Sequence, residues 1–173
     1  MKQALVVIDI QNDYFPEGNF PLWNADTCLK NTLSAMAWAK QHAIPIVLVQ
    51  HVSNSAKGPS GLFDAETHGV EVHQNILATA PNVPIVVKRY ADSFYETTLN
   101  ETLQSLGAEE LLLCGMMTQN CVTHTALSKA AERYSINVLT DCCTTVSEAI
   151  HKFAISALKT RPEIKLINLD SVR

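Results

Sequence analysis

Long apolar runs are missing from this sequence. Nothing approaches the roughly 18 consecutive apolar residues that a membrane-spanning helix requires. Charge is sparse as well: Asp, Glu, Lys and Arg make up 17% of the 173 residues, with a net charge of -4 and a pI near 5.8. That composition excludes a charge-rich helical rod and lacks the basic stripe of a nucleic-acid binder. No repeat, low-complexity tract or composition break interrupts the chain, so residues 1–173 read as one domain. The five cysteines are an odd number without C-x-x-C spacing, which fits a reducing cytoplasm better than a disulfide framework. The opening MKQALVVIDIQND lacks a small-residue cleavage site and reads as a strand, not a signal peptide. These absences predict a cytoplasmic protein that binds neither nucleic acid nor membrane.

Hydrophobic residues make up 47% of the chain, and its length suffices to bury a sizeable core. Short β-branched runs at Ala4–Ile10, Ile46–Gln50, Ile85–Lys88, Leu111–Cys114, Asn137–Thr140 and Lys165–Leu169 read as strands. Helical spacing separates them. One helix runs to about His42 with Asp26 as its N-cap, a second from Tyr95 to Leu106 stops at Gly107, a third covers Cys121–Tyr134, and a last covers Ser147–Lys159. Ser53–Gly69 reads as an irregular loop. Near-continuous apolar strands are those covered on both faces. The pattern therefore predicts an α/β fold: a six-stranded parallel sheet with helices on both faces.

In such sheets the functional crevice lies beyond the carboxyl ends of the strands. Asp9, Lys88 and Cys121 fall at or just past such ends. Taken singly, each has a plain structural explanation: a loop-bracing carboxylate, a surface lysine, a buried thiol. Together they form a chemical set. A cysteine at a helix start feels the positive end of the dipole, an ammonium beside it lowers the thiol pKa further, and a carboxylate takes the proton as general base. The turn before Cys121 offers backbone N–H groups to an oxyanion.

The motifs around these residues resemble those of the isochorismatase-like cysteine hydrolases, which include nicotinamidases and N-carbamoylsarcosine amidase. DIQNDYF at Asp9–Phe15 is similar to the family's D-x-Q-N-x-F opening. Lys88 is followed by DSF ending at Phe94, and GMMTQNCVTHTA from Gly115 is similar to G-x-x-T-x-x-C-V-x-x-T-A. The resemblance spans residue 4 to about 158. It implies a triad of Asp9, Lys88 and Cys121, a cis peptide at Met116–Met117, and an oxyanion hole from the N–H groups of Met117 and Cys121. It further implies a small-molecule substrate, a pocket for it with Gln11, Phe15, Phe94 and Thr118, homo-oligomers, and no cofactor.

The departures also inform. LVQHVSNSAKG carries Gln50 and His51 but no Asp-x-His pair, which argues against a metal and against nicotinamidase activity. Keeping Cys121 favours amide or carbamoyl cleavage through a thioester. Vinyl-ether hydrolysis with Cys121 as a bystander, and a catalytically silent binding protein of the same fold, remain the other readings. His124, three residues after Cys121, is a second candidate base. His51 could contact substrate or serve as a wall residue, and His68 and His73 are candidate ligands or packed side chains. Trp23 and Tyr90 could line a pocket, the core or a subunit contact. Specificity is expected in the loops Gly18–Asn24, Ser53–Gly69 and Arg89–Ser93.

Overall fold

Each strand carries apolar side chains on both sides, and this determines the layers. In a computed structural model describing residues 1–54, 56 and 58–172, β1 (Gln3–Ile8) sends Leu5 and Val7 into one core and Ala4, Val6 and Ile8 into another. The period of two along a strand produces that division. The first core is closed by α1 (Ala25–Gln41), through Leu29, Ala35 and Met36, and by α2 (Gln74–Thr79), through Ile76. The second is closed by α3 (Leu99–Ser105), α4 (Thr123–Ala126) and α5 (Glu148–Leu158), through Leu99, Leu103, Ala126 and Leu158.

The remaining strands are β2 (Ile46–His51), β3 (Ile85–Lys88), β4 (Glu110–Met116), β5 (Ser135–Thr144) and β6 (Ile164–Ile167). All pairings are parallel, in the order β3-β2-β1-β4-β5-β6. The expected sheet with helices on both faces is the one observed. Among the described residues no helix is long and apolar enough to cross a membrane.

Several boundaries differ from the sequence expectation, each for a local reason. β1 stops at Ile8, because Asp9 turns the chain with a φ of 52°. Asp26 is not the N-cap of α1; Asn24 holds that position, and Asp26 lies in the first turn, where its charge suits the helix dipole. α3 starts at Leu99 rather than Tyr95 and ends as expected before Gly107, whose φ is 67°. The helix expected over Cys121–Tyr134 is broken. Residues Thr118–Val122 form a π-type turn, α4 stops at Ala126, and Ser128 starts a 3-10 turn over Lys129–Arg133 by accepting from the Ala130 N–H. β5 runs to Thr144 because it carries a bulge opposite β4: Leu113 pairs with Val138, yet Gly115 pairs with Cys143.

Gly115 is the tight point of the sheet. Its φ is 125°, and a Cβ there would overlap the Ile8 carbonyl oxygen of the neighbouring strand. Gly115→Ala is therefore expected to cost on the order of 3 kcal/mol or more of stability. Urea denaturation should read this as a fall in the midpoint, with loss of the adjoining turn.

Candidate active site

β1 and β4 are neighbours, and the strand order runs outward from them in both directions. Connections leaving such a reversal point pass to opposite faces and open a crevice beyond the strand ends. Asp9 follows β1 and Cys121 follows β4, so they flank this point. The left-handed conformation of Asp9 is one that Asp tolerates better than most residues. Its N–H bonds the Val49 carbonyl at 3.0 Å, and its carboxylate is fully buried.

Lys88 ends β3, two strand positions from β1. Strands lie about 4.8 Å apart, so only a long side chain reaches across β2 to Asp9. The buried Lys88 ammonium lies 2.9 Å from Asp9 Oδ2 and donates to Cys121 Sγ at 3.2 Å and the Tyr90 carbonyl at 2.9 Å. It also meets His51 Nδ1, at the end of the strand it crosses, at 3.0 Å. An ammonium only donates, so His51 Nδ1 accepts and the imidazole is neutral with its proton on Nε2. Burial and the Lys88 charge both push the His51 pKa down, against the pull of Asp9.

Burial works against the Lys88 charge, but Asp9 and Cys121 outweigh it and hold the ammonium's pKa above its ordinary value. Burial, followed by the Asp9 charge, pushes the Cys121 thiol up, and Lys88 offsets only part of this. These directions favour the thiol over the thiolate at rest. A helix-start position suggests a thiolate, but Cys121 sits 1% exposed in the π-type turn, and lost hydration outweighs the dipole. The Met116–Met117 peptide is cis. Among the described residues the Met117 N–H donates to no backbone carbonyl.

Asp9, His51 and Cys121 offer ligand atoms within 4.8 Å of one another. Lys88 Nζ lies within 3.2 Å of all three and holds the place a cation would take. These residues do not fit a metal ion. The other histidines are engaged elsewhere. His68 is exposed and paired with Glu71 at 3.0 Å, and His73 caps α2 by accepting from the Asn75 N–H at 3.2 Å. His124 is exposed and bonds the Asn120 carbonyl at 2.8 Å, so it is not poised as a base for Cys121.

The expected pocket residues separate. The Gln11 amide is committed inside the protein: it donates to the His51 and Val70 carbonyls at 2.8 and 2.7 Å and accepts from the His51 N–H at 2.8 Å. It braces the end of β2 against the loop before α2. Thr118 is buried, with its hydroxyl 2.8 Å from His151 Nδ1 on α5. Phe94 packs in the core that contains Cys121 and stacks on Tyr134, centroids 6.1 Å apart. Phe15 packs on His73 at 4.6 Å and lines a cavity of about 860 Å³ whose walls include none of Asp9, Lys88 and Cys121. Its neighbour Tyr14, which the motif presents just as plainly, packs on Phe63 instead, with ring centroids 4.7 Å apart. Burial, then Asp9, Cys121 and Asp13, push its phenol pKa up.

Asp13 ties two loops over the crevice. Its carboxylate accepts from the Phe63 N–H at 2.7 Å and the Asn19 N–H at 3.2 Å, and it leaves no room for a Cβ at Gly69. Phe63 is thereby buried against Tyr14 and His51, with ring centroids 4.7 and 5.7 Å away. Residues 55 and 57 of the loop expected over Ser53–Gly69 lie outside the described residues.

The sheet order and this buried thiol–carboxylate–ammonium cluster describe an α/β protein with a cysteine site at its reversal point. The chain belongs to the isochorismatase family, whose Isochorismatase domain model matches residues 3–165. It is 34% identical over 157 residues to the uncharacterized isochorismatase family protein YddQ of Bacillus subtilis, covering 91% of this chain and 86% of that one. A streptothricin hydrolase of Streptomyces noursei is 34% identical over 125 residues, 72% of this chain and 47% of its own length. An Arabidopsis thaliana relative described as a "probable inactive nicotinamidase" is 25% identical over 171 residues, covering 90% of this chain and 87% of that one. The crystal structure of N-carbamoylsarcosine amidase from Thermoplasma acidophilum superposes with a TM-score of 0.83 at 23% identity, covering 97% of this chain and 96% of that one, a likeness of fold. Family members are hydrolases, amidases among them, and this chain is an isochorismatase-family hydrolase.

Because the resting thiol is held above its ordinary pKa, alkylation of Cys121 by iodoacetamide should still be rising with pH beyond about 8.5, where a free cysteine is half ionised. A rate already at its plateau at neutral pH, read by mass spectrometry of the Cys121 peptide, would contradict this description.

Proposed function

We propose that the protein cleaves a C–N bond of a small amide or N-carbamoyl compound through a thioester on Cys121. One observation carries the reading: a single buried ammonium contacts both a carboxylate and a thiol, at 2.9 and 3.2 Å, where the strand order reverses. Asp9 takes the thiol proton as sulfur attacks the substrate carbonyl carbon, and the carbonyl electrons move to oxygen. Lys88 balances the single negative charge of the dry site as it passes from Asp9 to the substrate oxygen. The N–H groups of Met117 and Cys121 receive the oxyanion, each such donor being worth about 10²–10³ in kcat. The tetrahedral adduct collapses and expels ammonia or an amine, which takes the proton held by Asp9. Water then gives a proton to Asp9 and adds its hydroxide to the thioester, and expulsion of sulfur regenerates the thiol with that proton. The steps balance without a cofactor. Met117, Thr118 and Phe94 adjoin the reacting carbon in this scheme, Gln11 steadies His51, and Phe15 borders the approach.

Two other readings have support. Vinyl-ether hydrolysis would use Asp9 as acid and leave the thiol idle. A silent binding protein is favoured by the relative described as inactive. A homo-oligomer is part of the proposal, supported by Phe153, 77% exposed on α5, and by Ile85 and Val87 exposed on edge strand β3. So is a reducing cytoplasm, supported by five buried cysteines with no disulfide.

Cys121→Ala should remove ammonia release from a panel of primary amides and N-carbamoyl compounds, and abolish the acyl adduct in mass spectrometry. The thermal midpoint should change little, because the side chain loses one buried atom. Turnover surviving in this variant would exclude the thioester route, and survival on isochorismate alone would select the vinyl-ether reading.

A further inference from the structure

The turn that carries Cys121 closes on Thr118. Thr118 opens the π-type turn, and its carbonyl accepts from the Thr123 hydroxyl at 2.6 Å and from the Thr123 N–H just past the turn's far end. Cys121 lies between these two threonines. Thr118 is fully buried, and its hydroxyl has one partner among the described residues: His151 Nδ1 on α5, at 2.8 Å. His151 is itself well fixed. Its N–H donates to the carbonyl of the N-cap Ser147 at 3.0 Å, and its half-buried ring lies against Trp23, centroids 6.2 Å apart. Burial holds the imidazole below its ordinary pKa, against the pull of Glu148, so the ring is neutral at neutral pH. Nδ1 of a neutral ring donates or accepts according to tautomer, and a hydroxyl answers either role. Lys88 thus fastens the turn at its sulfur, at 3.2 Å, and His151 fastens it at its first hydroxyl.

We propose that His151 is a positioning residue for Cys121, and that its bond to the Thr118 hydroxyl holds the cysteine turn in the shape that keeps the sulfur buried beside Lys88. Breaking the bond strands a polar group in a dry place, which is costly. The turn then relaxes to find that hydroxyl another partner. Because Thr118 closes the turn, the relaxation is passed to the sulfur. The hold concerns where the sulfur sits and not which bond it attacks, so it stands apart from the amide-hydrolase reading.

The chain supplies its own internal standards, because all five cysteines are free and buried. The full chain is treated with iodoacetamide at pH 8, and alkylation rates are read by mass spectrometry for Cys121 and for Cys28 and Cys114. His151→Leu removes the bond and should raise the Cys121 rate about fivefold relative to the other two, the worth of one hydrogen bond. Thr118→Val, nearly the same shape without the hydroxyl, tests the bond from its other end and should give the same rise. The two substitutions together should add little to either alone, since they remove one interaction. His151→Asn places an amide oxygen or nitrogen where Nδ1 stands, serves whichever way the proton points, and should return the rate to within about twofold of the unsubstituted protein. An unchanged or slower Cys121 in both single variants would overturn the proposal. So would an equal rise at Cys28 and Cys114, which reports general loosening, or His151→Asn behaving like His151→Leu.

Discussion

The Lys88 ammonium is the constraint around which the site is arranged. It contacts a carboxylate, a thiol, an imidazole nitrogen and a backbone carbonyl, all within 3.2 Å. Bringing a charge into such a place is expensive unless neighbours compensate, and pairs of this kind add little net stability. Their value here is organisational. The same ammonium sets the tautomer of His51, lies against both the Asp9 carboxylate and the thiol, and takes the position a metal ion would need. Removing it would leave a buried anion without compensation, a more serious defect than the loss of one contact.

The sheet supplies the distances. Lys88, His51 and Asp9 terminate three adjacent strands, and Cys121 comes from the turn after the fourth. A lysine reaches from the outermost of these to the third, touching the second on the way. The close approach of β4 to β1 at Gly115 and the bulge in β5 place the cysteine turn beside Asp9. The chemistry depends on backbone spacing at least as much as on the reactive groups.

Much of this was legible in the residues. Apolar runs located all six strands, and the strand-end rule selected Asp9, Lys88 and Cys121, which the fold brings together. What escaped depends on contacts that sequence does not display. Continuous helical spacing from Cys121 to Tyr134 concealed a break that Ser128 makes by capping. The polar stretch TDCCT concealed the end of β5, because a bulged segment need not follow the apolar pattern. Burial reversed the expected direction of the Cys121 pKa, and no spacing rule reports lost hydration. In DIQNDYF two adjacent aromatics compete, and only the turn after Gln11 decides that Tyr14 packs on Phe63 while Phe15 packs on His73.

Asp13 stands four residues after Asp9 and grips the far loop through the Phe63 N–H, while Ser60, Gly61 and Ser53 tie the tip of that loop to its own Asp64. The loop is thus a self-contained module fastened at its base. Its outer residues can diverge, lengthen or be exchanged among relatives without disturbing the acid and the sulfur beneath. Such an arrangement lets one reaction centre acquire new chemical tastes through changes in its roof alone.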